Sequence, residues 1–256
     1  MFKTNTTFIG KVLIELSEVD STSTYLQSRN STDNLPEGAV VYTAFQTKGK
    51  GQRGNVWESE KGKNLLASIL LFPKFLPPKY SFLLNMAVAL AVRDTIVKYL
   101  PEPVSIKWPN DIWVNERKIA GILLQNAITM STINSSIVGI GLNINQTVFS
   151  ESLKEPTSLK SITGKEFSPL DILAVLCHYL EVRYLELRSE KVEKIRLDYK
   201  NNLLGRNVQR LFKVTSTGEI FSGIIRGVNS EGLLITEDSN GSKKRWRMKE
   251  IEFLRE

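Results

Sequence analysis

Three short segments concentrate the residue types that handle phosphates and acyl groups. The first, Lys48-Gly49-Lys50-Gly51-Gln52-Arg53-Gly54-Asn55, interleaves three glycines with three basic residues. Glycine lets backbone amides approach a phosphate closely, and the cations supply countercharge. A solvated turn explains the composition equally well, and the spacing is that of neither a Walker loop nor a Rossmann fingerprint. The second, Lys107-Trp108-Pro109-Asn110-Asp111, is followed by Lys118, which opens the largely apolar run Ile119-Ala120-Gly121-Ile122-Leu123. Turn chemistry accounts for Asn110 and Asp111 after a proline. A lysine at the mouth of an apolar strand, however, keeps its charge by facing a cleft or an anion. A neighbouring carboxylate suits a ribose, an amine, or magnesium near phosphates. The third, Gly139-Ile140-Gly141-Leu142-Asn143-Ile144-Asn145, alternates glycine with large aliphatics. That pattern marks a strand approached closely by a ligand or another backbone, with a β-bulge as the plain alternative. Asn143 and Asn145 are expected on one face.

Stepping outward along the chain, a strand at residues 39–45 precedes the glycine loop and another follows at 65–72. Residues 81–100 are apolar nearly all round, which predicts a helix packed inside the protein and stopped by Pro101 and Pro103. Residues 104–108, 112–114 and 118–125 read as successive strands joined by tight turns, and 136–144 as a further strand. Ser168, Pro169 and Asp171 mark a helix start, with Cys177 among its apolar positions. A second helix covers 192–203 and ends at Gly205. From 206 on, short β runs at 208–214, 220–228, 232–236 and 244–248 predict a small β-barrel-like domain. The expected division is therefore 1–204 and 205–256.

Bulk properties narrow the class. A chain of 256 residues, 41% hydrophobic and 24% charged, builds one or two globular domains. The longest apolar stretch, 82–92, is about half a bilayer crossing and contains Asn85, so no membrane span is expected. Residues 1–10 lack the features of a secretory signal, and a cytoplasmic protein is the expectation. One cysteine, Cys177, and one histidine, His178, make neither an internal disulfide nor a zinc site alone. A net charge of +7 attracts polyanions without naming one. Lys243, Lys244, Arg245 and Arg247 around Trp246 keep a nucleic-acid-binding module open as an alternative, against a solvated hairpin.

In order along the chain, these blocks resemble the biotin protein ligase family. The resemblance rests on Asp20-Ser21-Thr22-Ser23-Thr24-Tyr25-Leu26, on Gln46 with the basic glycine loop, Trp57 and Asn64-Leu65, on the intact Lys107–Asp111 block, on Lys118 with Gly121-Ile122-Leu123, and on 139–145. It implies an α+β fold, a mixed, mainly antiparallel sheet flanked by helices in the manner of class II synthetases, with a small C-terminal β-barrel domain. The implied activity is ATP-dependent joining of biotin to AMP, then transfer to a lysine of a biotin carboxyl carrier protein. ATP, biotin and magnesium (Mg2+) are the implied ligands. Ser21 and Thr22 would line the biotin site and Gln46 would contact its ureido ring. Gly49, Lys50, Gly51, Gln52, Arg53 and Gly54 would order over biotin and the adenylate, and Trp57 would lie beside the nucleotide. Asn110 and Asp111 would serve nucleotide and metal, and Lys118 would touch carboxylate and phosphate. Gly121 would let the ligand lie against its strand, and Asn143 would bond the nucleotide. Lys118, Asp111 and Arg53 are the expected catalytic groups. Lys50, Gln52 and Gln125 depart from the family pattern, which favours arginine at the first two and glutamate at the third. Asp20 lies too near the start for the DNA-binding winged helix of some members, so no operator binding is expected; a homodimer is left open. The nearest rival is a lipoate or octanoate ligase or transferase.

Overall fold

The computed structural model describes residues 2–254, apart from the side chain of Arg53. The chain forms β1 (Leu13–Leu16), α1 (Thr22–Asp33), β2 (Val40–Thr43), β3 (Leu65–Leu71) and α2 (Ser81–Val97). Strands β4 (Val104–Lys107), β5 (Asp111–Val114), β6 (Arg117–Ile128) and β7 (Ile133–Leu142) follow without an intervening helix. Helices α3 (Leu159–Thr163), α4 (Pro169–Arg188) and α5 (Val192–Asn201) come next, then β8 (Gln209–Val214), β9 (Ile220–Val228), β10 (Leu234–Glu237), β11 (Lys243–Trp246) and β12 (Ile251–Phe253).

The first seven strands make one sheet in the order β1-β2-β3-β7-β6-β5-β4. Only the β1–β2 pair is parallel. All seven residues of β3 are buried, because α1 covers one face of the sheet and α4 the other. A strand covered on both faces reads as a continuous apolar run. Helix α2 is buried nearly all round, as its composition predicts, and packs on α4 and α5. With the preceding turn, Pro78–Val97 has the length and hydropathy of a membrane crossing, longer than the 82–92 run suggests. In this fold that surface is largely taken up by the core. Helix α4 begins as expected: Ser168 accepts from the amide of Asp171 at 3.3 Å with Pro169 in the first turn.

The second sheet is wholly antiparallel, ordered β11-β10-β9-β8-β12. Its core stacks Phe212 on Phe221 and Phe221 on Trp246, each with ring centroids 5.3 Å apart. Trp246 also donates to Thr236 Oγ1 at 2.7 Å, which fixes the orientation of its ring within the sheet. Gly205 (φ 69) turns the chain from α5 toward β8 and is the proposed domain division. Among the contacts that cross it, Trp108 Nε1 donates to Gly232 O at 2.9 Å, and Arg210 pairs with Glu116 at 2.6 Å. Strands β1 and β12 and helix α3 are additions to the elements read from sequence.

Candidate functional site

Register explains how residues scattered through the chain come together. Lys107 pairs with Asp111, Asp111 with Gly121, and Gly121 with Gly141. Directly opposed residues of an antiparallel sheet share a face, so these four form one row across β4, β5, β6 and β7. The next row holds Leu123, Gly139 and Ser68. Lys118 would face the other way, being three residues from Gly121, but for a bulge between Ile112 and Trp113 that brings Trp113 opposite Lys118. An extra residue inverts the alternation beyond it. Lys118 thus joins the row, and its Nζ lies 2.9 Å from Asp111 Oδ2.

Along these rows runs a cavity of about 820 Å³. Its floor is glycine for a steric reason. A Cβ on Gly121 would lie 2.9 Å from the Trp57 ring, and one on Gly141 would overlap the indole. Close approach, rather than a bulge at these positions, is therefore what the glycines serve. Trp57 is held by its amide to Gly49 O at 3.0 Å, and its Nε1 is buried without a partner among the described residues. Lys118 Nζ stands 5.6 Å from that ring.

On the β2–β3 side the lining is neutral and polar. Gln46 Oε1 accepts from Thr22 N at 2.8 Å and Thr22 Oγ1 at 3.1 Å. With its one proton committed there, the Thr22 hydroxyl accepts from Ser68 Oγ at 2.8 Å. Gln46 is left with its Nε2 hydrogens as donors. Ser21 stands at the N-cap of α1 without making a cap bond, its hydroxyl 3.0 Å from Ser23 Oγ. On the β4–β5 side the lining is charged. Lys107 Nζ lies 4.0 Å from the Trp113 ring centroid and 5.2 Å from that of Phe253. Burial pulls its pKa below the ordinary lysine value; Asp111 opposes that shift, and Lys118 and Lys154 add to it.

The structure brings Ser21, Thr22, Gln46, Lys50, Gly51, Gln52, Trp57, Asn110, Asp111, Lys118, Gly121 and Asn143 to this cavity. Gly49 and Gly54 lie outside its lining: Gly49 backs the Trp57 carbonyl, and Gly54 stands in open space. The Arg53 side chain is outside the described residues. Asn143 and Asn145 do not share a face, because β7 ends at Leu142; their amides donate to Thr157 O and Phe167 O, respectively. Sequence reasoning missed Ser68, the one polar residue of β3, and gave no role to Lys107. It also missed the wall from the second sheet formed by Met248, Ile251 and Phe253.

The donor set does not fit a resident metal. Among the described residues no three His, Cys, Asp or Glu side chains converge, and Asp111 is already paired with Lys118. Such a site suits magnesium arriving on phosphates.

Residues 16–143 match the model of the biotin/lipoate A/B protein ligase family. The bifunctional ligase/repressor BirA of Bacillus spizizenii is 30% identical over 246 residues, spanning 95% of this chain and 74% of that protein. The biotin–[acetyl-CoA-carboxylase] ligase of Mycobacterium tuberculosis is 26% identical over 222 residues, spanning 86% and 80%. Among solved structures, biotin protein ligase from Aquifex aeolicus in complex with biotin and ATP superposes with a TM-score of 0.78 at 27% identity, covering 96% of this chain and 100% of that one. The matched segment carries the glycine floor, the polar lining around Gln46 and the Lys118–Asp111 pair, so that segment, the shared fold and the relative spanned over most of its length make this chain a member of the biotin/lipoate A/B protein ligase family.

Proposed function

We propose that this protein is an ATP-dependent biotin protein ligase. It forms biotinyl-5'-AMP with release of pyrophosphate and passes biotin to a lysine of a carboxyl carrier protein. One observation carries the reading: a single cavity sets neutral hydrogen-bonding groups on one side of a glycine floor and an ion-paired lysine on the other. The neutral side, with Gln46 Nε2 as donor and the hydroxyls of Ser21, Thr22 and Ser68, suits a ureido ring, which carries both donors and an acceptor. The aliphatic disulfide ring of lipoate offers no such partners.

A carboxylate is a poor acyl donor, since its leaving group would be oxide. In the first step its oxygen attacks the α-phosphorus of ATP, and the bond to the bridging oxygen of pyrophosphate breaks. Lys118 lies between the two anions and lowers their repulsion, and Asp111 holds the ammonium in place until phosphate competes for it. Magnesium bound to ATP adds countercharge when present. In the second step the neutral amine of the carrier lysine attacks the acyl carbon. The bond to AMP breaks, an amide forms, and the amine sheds a proton. Asp111 is the group proposed to orient that amine. The mixed anhydride hydrolyses if water reaches it, so the loop carrying Lys50, Gly51, Gln52 and Arg53 serves as a lid.

Incubation with biotin, ATP and magnesium, read by mass spectrometry for biotinyl-AMP, tests the reading; lipoate in place of biotin is the control. Adenylate formed from lipoate but not biotin overturns it.

A further inference from the structure

Two buried polar side chains outside the cavity converge on one backbone atom. Asn85 of α2, 9% exposed, donates its Nδ2 to the carbonyl oxygen of Pro109 at 2.8 Å. Tyr199 of α5, fully buried, donates its hydroxyl to the same oxygen at 2.9 Å. Pro109 lies in the turn between β4 and β5, beyond the strand ladder, so its carbonyl needs partners from elsewhere. Burying an amide and a phenol costs free energy unless both are hydrogen-bonded. Leucine and phenylalanine would fill the same space without that cost. The polarity of both residues therefore answers to this carbonyl.

The next two residues in the chain are Asn110 and Asp111. Asn110 donates from Nδ2 to Ile122 O and accepts from Ile122 N at 3.1 Å; Asp111 holds Lys118. We infer that Asn85 and Tyr199 are positioning residues for the adenylation step: by gripping Pro109 O from two helices they fix the Asn110–Asp111 turn, and through it Lys118. The inference rests on the ligase reading. Misplacement of a reacting group by about 1 Å costs on the order of 100-fold in rate, so a clamp on this turn has kinetic leverage.

The test uses Tyr199→Phe, which removes one oxygen atom, Asn85→Leu, and the double variant. Three quantities are compared at a temperature where each protein is folded: biotin-dependent exchange of pyrophosphate into ATP, biotin affinity by calorimetry, and hydrogen exchange at the Ile122 amide. Each single change is expected to lower the exchange kcat about tenfold, as loss of one hydrogen bond would, and to speed hydrogen exchange at Ile122. Biotin affinity, set by Ser21, Gln46 and Ser68, should move less than about twofold. Exchange kcat within twofold of wild type, unchanged protection at Ile122, or biotin affinity falling in step with kcat overturns the inference. The last outcome would mean general loosening. Should Asn85→Leu fail to fold, Tyr199→Phe decides alone. A wild-type protein without exchange sinks the ligase reading and the clamp's role together, whereas active wild type with unaffected variants removes only the clamp.

Discussion

Replacing Lys118 by alanine does two things to the cavity, and the structure gives their relative weight. The first is loss of the cation itself. Removing one preorganised group that stabilises developing negative charge costs roughly 3–4 kcal/mol, or about 100–1,000-fold in rate. The second is unmasking of Asp111, whose Oδ2 lies 2.9 Å from Lys118 Nζ. Once unpaired, that carboxylate repels an incoming phosphate by up to about 4 kcal/mol at 4 Å separation and an effective dielectric constant of 20. Side-chain exposures of 31% and 27% for the pair mean solvent screening reduces this to about 1–2 kcal/mol. Lys118→Ala should therefore slow biotin-dependent pyrophosphate exchange by more than about 1,000-fold. Asp111→Asn, which leaves the cation, should cost far less in this step. The double variant is the diagnostic: with the repulsion gone it should exchange about tenfold faster than Lys118→Ala. Near-normal exchange by Lys118→Ala would refute the assignment of the cation. A double variant whose loss equals the two single losses combined would refute the electrostatic account of Asp111.

Gly141→Ala should drive Trp57 off the floor, since the new Cβ overlaps the indole; a red-shifted tryptophan emission together with release of biotinyl-AMP into solution would show it. Lys107, its pKa lowered by burial, should regain basicity beside phosphate. ATP binding at alkaline pH below 10.5 should then take up protons, measurable as calorimetric heats that vary with buffer ionisation and absent in Lys107→Met. Burial and the Glu181 carboxylate push the Cys177 thiol up to about 12, so it should resist iodoacetamide at pH 8 in the folded protein and react after denaturation. Burial raises the Glu181 pKa, but the amides of Thr7, Phe8 and Ile9 outweigh it and hold the carboxyl below the ordinary 4.5. Its contribution is present above pH 4.5 and lost as pH falls through the lower folded value. Glu181→Gln should cost about 2 kcal/mol, or about 4–8 °C in Tm, at pH 7, and the difference should shrink in acid.

What was legible in the sequence was local. The buried strand β3, the core helix α2, the capped start of α4 and the β4-to-β7 meander each follow from patterns contained within the element itself. Pairings between distant segments were not: β1 finds its partner in parallel across α1, and the three residues of β12 have no periodicity to read. Most of the candidate residues line the cavity, but the sequence carried their types and not their geometry. Ser68 is a single polar residue in an otherwise apolar run, and nothing within that run shows that its pairing with Gly139 sets it in the cavity row. Asn143 and Asn145 looked equivalent because nothing in their spacing shows that β7 stops at Leu142.

The two sides of the cavity also differ in how far apart their parts lie in the chain, and this bears on what each does. Lys107, Asp111, Lys118 and Gly121 come from three consecutive strands joined by short turns, so their relation is fixed by register and one bulge. The neutral side joins the start of α1, the residue three beyond β2 and the middle of β3, and is held by a chain of hydrogen bonds from Gln46 through Thr22 to Ser68. A register-locked row tolerates no change of spacing without turning its side chains to the other face, which suits groups that must meet a reacting phosphorus. A hydrogen-bonded relay instead loses or gains donors one residue at a time. Changes in the ring that is recognised should therefore arise by substitution at Thr22, Gln46 or Ser68, whereas loss of adenylation should follow insertion or deletion anywhere between Lys107 and Gly121.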